Sequence, residues 1–92
     1  MAIEVRIPTI LRTYTDGAKA VEGSGANLGE LIADLDARHP GIAARLLEGG
    51  DLRRFVNVYL NDEDVRFLEG ISTAVADGDN VTILPAVAGG AR

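Results

Sequence analysis

Leu28, Leu31, Ile32 and Leu35 recur at the spacing of one helical stripe, the clearest helical signal in the sequence. Asn27 stands ready to cap the free amide groups, Glu30 three residues later completes a capping box, and Pro40-Gly41 stops the helix near His39. A helix of this kind must bury its apolar stripe against another layer. In a chain of 92 residues that layer has to come from the flanking segments, whose apolar residues alternate in twos. The pattern therefore predicts an α+β fold with one sheet.

Ile3, Val5 and Ile7 alternate with Glu4 and Arg6 as a strand with one buried face, and Pro8 marks its end or an edge position. Thr15-Asp16-Gly17 has turn chemistry and Ala18 to Glu22 can return antiparallel, so residues 1–23 read as a hairpin. Beyond the long helix, Ile42 to Leu47 suits a further helical turn and Glu48-Gly49-Gly50-Asp51 a loop. The chain is extended again from Arg54, with Val56, Val58 and Leu60 on one face and Phe55, Asn57 and Tyr59 on the other. Asn61-Asp62-Glu63-Asp64 turns it, and Val65-Arg66-Phe67 reads as a short return strand. Ala74 to Ala76 form a brief turn, Asp77-Gly78-Asp79 a tight reversal, and Val81 to Leu84 the last strand. The order β-β-α-β-β-β describes a β-grasp: a mixed sheet of four to five strands with one long helix across it. Its expected extent is 1–87, followed at 88–92 by a flexible arm with a Gly-Gly motif and a two-residue extension.

Composition removes several classes of function. A net charge of -5 opposes phosphate-backbone binding and suits solubility or a basic partner surface, so nucleic acid is not an expected partner. No apolar run reaches membrane-spanning length and the amino terminus has no signal-peptide pattern, so the expected setting is cytoplasmic and away from membranes. Without cysteine there is no thiol nucleophile, disulfide or thiolate metal site.

No phosphate-binding loop is present, and Gly23-Ser24-Gly25 reads as a plain loop. His39, the only histidine, has the place of a helix-end residue rather than a metal ligand. Asp62-Glu63-Asp64 lacks the spacing of a calcium loop, and Arg53-Arg54 reads as surface charge. Neither a catalytic residue, a metal site nor a bound cofactor is expected of a chain with this inventory.

What remains is the tail. Asn80 to Pro85 leads through Ala86-Val87-Ala88 to Gly89-Gly90, with Ala91 and Arg92 beyond. Two glycines after a strand make a thin arm with no side chain to obstruct entry into a partner's narrow channel. Leu84 shares the outer face with Thr82, beside that arm. With Phe55, Tyr59 and Val87 it forms an expected apolar docking patch; the alternative is a sheet face partly covered by loops.

The segment from Ala76-Asp77-Gly78-Asp79-Asn80 through Gly89-Gly90 resembles the closing segment of bacterial ubiquitin-like sulfur carriers, such as the small subunit of molybdopterin synthase and the thiamine sulfur carrier. Ile7-Pro8-Thr9-Ile10-Leu11-Arg12 and the stretch from Phe55 to Phe67 narrow the resemblance to the CysO type, which serves cysteine synthesis from O-phosphoserine. The resemblance implies a protein co-substrate rather than an enzyme. A partner related to ubiquitin-activating enzymes would adenylate the Gly90 carboxylate with ATP, and a sulfur donor would displace AMP to leave a thiocarboxylate. A pyridoxal-phosphate-dependent cysteine synthase would then accept the sulfur. Molybdopterin, thiamine or a secondary metabolite are alternative end products, and attachment to lysines of other proteins or an inert tail are alternative fates.

Ala91 and Arg92 depart from the pattern of carriers that end at the second glycine. They would carry the free carboxylate about 7 Å past the reacting position, more than an in-line attack tolerates. The expectation is a precursor trimmed by a protease, with the metal-dependent peptidase of the family as candidate.

Overall fold

The computed structural model describes residues 2–54 and 56–85. The amino-terminal alternation forms β1 (Ile3–Arg6), with Ile3 and Val5 wholly buried and Glu4 and Arg6 facing solvent. β2 (Ala20–Gly23) pairs with it antiparallel, Val5 opposite Val21. The helical stripe becomes α1 (Leu28–Arg38), and a short α2 (Ile42–Leu46) comes after it. Next come a small hairpin, β3 (Leu47–Glu48) and β4 (Asp51–Leu52), then β5 (Val56–Leu60), β6 (Glu63–Asp64) and finally β7 (Asn80–Pro85).

Among the described residues the main sheet has the order β2-β1-β7-β5-β6. β7 is central, parallel to β1 and antiparallel to β5. This is the β-grasp arrangement and an α+β fold.

Burial explains the register. Val81 and Ile83 of β7 lie opposite Leu60 and Val58 of β5, and Val81 also lies beside Val5. All but the half-buried Leu60 belong to the buried core, which α1 covers with Leu28, Leu31, Ile32 and Leu35. A one-residue slip of β7 would turn its apolar set to solvent. Each of those four helix side chains gains about 1.5–3 kcal/mol from burial, far more than the intrinsic helix preference of so short a segment.

The cap at Asn27 is as expected: its Oδ1 accepts from the Glu30 amide at 2.9 Å. Glu30 closes the box one residue further back, on the Ala26 amide at 2.9 Å.

Four expectations need correction; at Ala74 to Ala76, expected as a turn, Ala74 instead forms an antiparallel bridge with Asn27. Between β1 and β2 the chain forms a 3-10 helix, Thr9–Thr15, rather than a simple hairpin turn. Leu11 and Thr15 are buried there, and Thr15 Oγ1 donates to the Ala18 carbonyl at 2.9 Å, so the connection is an added layer on the core edge. The segment expected as a loop at 48–51 is a hairpin instead. Gly49 and Gly50 take φ of 65° and 84°, the left-handed pair that a two-residue hairpin turn requires.

Val65–Phe67 is a 3-10 turn rather than a return strand. The reversal after β5 is completed by Asn61 and Asp62, at φ 51° and 74°, which lets Glu63–Asp64 serve as the return strand. Asp64 then caps the turn, its Oδ1 accepting from the Arg66 amide at 2.9 Å. The arm at 88–92 lies outside the described residues.

Candidate functional site

The last described strand places the site. In β7 the inward Val81 and Ile83 fix Thr82 and Leu84 on the opposite face of the sheet, and Leu84 remains 43% exposed. Directly across the ladder, Asn57 opposes Leu84 and Tyr59 opposes Thr82. Leu84 thus shares its face with Asn57 and Tyr59, as the alternation suggested. Tyr59 is half-buried and stands two residues further along β5, between Thr82 and Asp64. Phe55, Val87, Gly89 and Gly90 fall outside the described residues.

A second group was not legible as part of this surface. The 3-10 helix carries Ile10 alongside Leu84 with 66% of its surface exposed. Pro8, Ile10, Ile83 and Leu84 border two grooves, one of about 250 Å³ and a wider one of about 690 Å³. The first is completed by Leu11, Arg45, Arg53 and Val56. The second is flanked by Arg6, Arg12 and Lys19. The only sequence signal for this grouping was Pro8, whose lack of an amide hydrogen ends a strand and starts a turn.

Arg66 braces this edge. Its guanidinium donates to Asn57 Oδ1 at 2.7 Å and to the carbonyls of Arg53 at 2.8 Å and Val56 at 2.6 Å. The start of β5 is thereby tied down next to Leu84. The other polar candidates are structural. Arg53 Nε donates to the Ala44 carbonyl at 3.0 Å, and the His39 amide closes α1 on the Leu35 carbonyl at 2.7 Å. Among the described residues no three His, Cys, Asp or Glu side chains are grouped to hold a metal ion. No helix there is long and apolar enough to cross a membrane.

The β-grasp body presents the exposed Leu84 near the end of its central last strand. The model of the ThiS family matches residues 5–90. The chain belongs to the ThiS family. It is 59% identical, over 93 aligned residues, to sulfur carrier protein CysO of Mycobacterium tuberculosis, an alignment spanning 98% of this chain and all of the relative. A chain of the crystal structure of the Amycolatopsis orientalis BexX/CysO complex superposes with a TM-score of 0.91 at 58% identity, covering 94% of this chain and 97% of that one. Small archaeal modifier protein 3 of Haloferax volcanii is 43% identical over 65 residues, or 71% of each chain. As a ThiS-family member this protein is a homologue of the sulfur carriers.

Proposed function

We propose that this protein carries sulfur as a thiocarboxylate on the carboxyl group of Gly90, after removal of Ala91 and Arg92, and delivers it for cysteine synthesis from O-phosphoserine. The observation that carries the reading is near full-length identity of 59% to a sulfur carrier, joined to Gly89-Gly90 five residues beyond β7.

The chemistry explains the division of labour. A carboxylate resists nucleophiles because it is already anionic, and adenylation converts one of its oxygens into part of a leaving group. Sulfide sulfur then attacks the carbonyl carbon, the C–O bond to AMP breaks, and the carboxylate becomes a thiocarboxylate. Glycine suits the reacting position because it has no Cβ to hinder approach. The folded body supplies a handle. Six residue steps from Leu84 to Gly90 at full extension reach at most about 21 Å, so an enzyme gripping Leu84 holds the reacting carbon within that radius. ATP and pyridoxal phosphate belong to the partners in this scheme, one an activating enzyme and the other a cysteine synthase. Leu84, Tyr59, Phe55 and Val87 are the proposed contacts.

Incubating the thiocarboxylated form with O-phosphoserine and the organism's cysteine synthase tests the end product. Mass spectrometry should detect cysteine joined to Gly90. If sulfur passes only to a molybdopterin or thiamine synthase, the pathway assignment is wrong while the carrier chemistry stands. The archaeal modifier relative favours a second reading, in which the activated tail is joined to protein lysines. Conjugates of higher mass that disappear on deleting Gly90 would establish it.

A further inference from the structure

Arg6, Arg12, Lys19, Arg45 and Arg53 line the two grooves beside Ile10 and Leu84. Of the chain's fourteen Asp and Glu residues, only Glu4 lines either groove. A protein of net charge -5 therefore has two mainly basic groove linings next to the strand that leads to its tail, while Glu4 and Glu22 face each other on the neighbouring β1–β2 ladder.

Some of these cations are occupied internally. Arg12 Nε donates to the Ile7 carbonyl at 3.1 Å, and Arg53 holds the Ala44 carbonyl and, more loosely, Glu48 at 3.6 Å. Lys19 and Arg45 differ. Both are exposed, one in each groove, and neither side chain has a salt bridge or hydrogen bond among the described residues. Their charges contribute no visible contact to the fold, and they flank Leu84, one of the proposed contacts, and the exposed Ile10 beside it.

We infer that this face docks an acidic-rimmed apolar recess on the activating enzyme, with Leu84 and Ile10 entering the recess and Lys19 and Arg45 meeting carboxylates on its rim. The inference rests on the sulfur-carrier reading above and adds the chemical character of the partner's surface. Rim charges of this type act mainly on encounter, by steering, and less on residence once the apolar centre is seated. The net acidic excess outside the grooves weakens the approach of an acidic rim there, with Arg38, Arg54 and Arg66 as basic exceptions. The same excess disfavours a nucleic acid strand, which would meet that repulsion along its length.

The test is stopped-flow association of the chain ending at Gly90 with the organism's own activating enzyme. Wild type, a K19E/R45E double variant and a K19Q/R45Q double variant are compared at about 50 mM and about 500 mM salt. The glutamate pair should associate about tenfold more slowly at low salt, the glutamine pair less so, and the differences should collapse at high salt. Association within twofold of wild type, or a deficit that persists at high salt, overturns the inference. Normal thiolation of the wild type in a parallel reaction with ATP, the same enzyme and a sulfide source would leave the carrier reading intact. Saturable binding of a single-stranded RNA oligonucleotide that competes with the enzyme for this face also overturns it.

Discussion

Arg66 Nη1 donates to Asn57 Oδ1 at 2.7 Å, and Asn57 lies directly opposite Leu84 in the β5–β7 ladder. A residue two elements away from the tail thus fixes the edge of the surface that the tail's handle requires. Replacing Arg66 with Ala removes this bond and those to the Arg53 and Val56 carbonyls. The loss should destabilise the protein by about 1–2 kcal/mol, since partial solvation of the freed acceptors offsets some of the cost. Thermal unfolding measured by circular dichroism should show a fall of several degrees. Arg66→Lys should recover less than half, because an ammonium group cannot reproduce the planar fork. Equal stability of all three forms would show that the brace is dispensable.

Leu84 offers a cleaner separation of fold from function. With 43% of its surface exposed on the face away from the core, Leu84→Asp should change stability by no more than about 0.5 kcal/mol. The same change places a charge at the centre of the proposed contact. Adenylation efficiency, kcat/KM for the activating enzyme, should fall by about thirtyfold or more, equivalent to a hot-spot loss of about 2 kcal/mol. Unchanged efficiency would remove Leu84 from the docking surface.

Gly25 lies in the loop before α1, where a side chain has no room. A Cβ built there would lie 2.6 Å from the Leu31 amide nitrogen and 2.9 Å from the Glu30 carbonyl carbon. These are backbone atoms of the capped helix, so relief requires moving the start of α1. Gly25→Ala should cost about 1–3 kcal/mol, as overpacking in a rigid setting does. At Gly17, a Cβ meets nothing within 4 Å. Urea denaturation of both alanine variants should therefore show penalties of different origin, with a shifted helix start only for Gly25→Ala, visible in the amide exchange of Leu28 to Leu31.

The parts of the fold that were legible are those where one short-range signal decides the outcome. Alternation placed β1, β5 and β7, and Asn27 with the Leu28 to Leu35 stripe placed α1, because each pattern has a single way to bury its apolar side. The 3-10 helix at Thr9–Thr15 was hidden because its burial of Leu11 and Thr15 depends on the distant edge of the core. Val65 to Phe67 has the composition of a strand. It turns because Asn61 and Asp62 take up the reversal early and the Asp64 side chain caps the Arg66 amide.

For the candidate site, the position of Leu84 came from β7 alone, whereas Ile10, Lys19 and Arg45 join it only through the three-dimensional course of the chain. Such assemblies have no signature in spacing. Gly89 and Gly90 entered through the motif itself and remain a proposal about chemistry.

Trimming carries its own prediction. A chain that carries Ala91 and Arg92 after Gly90 should fail to form an adenylate at Gly90, because two extended residues would move a terminal carboxylate by about 7 Å. Treatment with the organism's metal-dependent peptidase should restore activation, and mass spectrometry should show loss of both residues first. Thiolated protein isolated from cells that still ends in Arg92 would refute the precursor reading.

The decisive measurement is the intact mass of a chain ending at Gly90 after incubation with ATP, the activating enzyme and a sulfide source. Exchange of one oxygen for sulfur should add about 16 Da, mapped by fragmentation to Gly90 and not to any side chain. No gain in mass with an enzyme that is active on another carrier, or sulfur located anywhere but Gly90, would contradict the account.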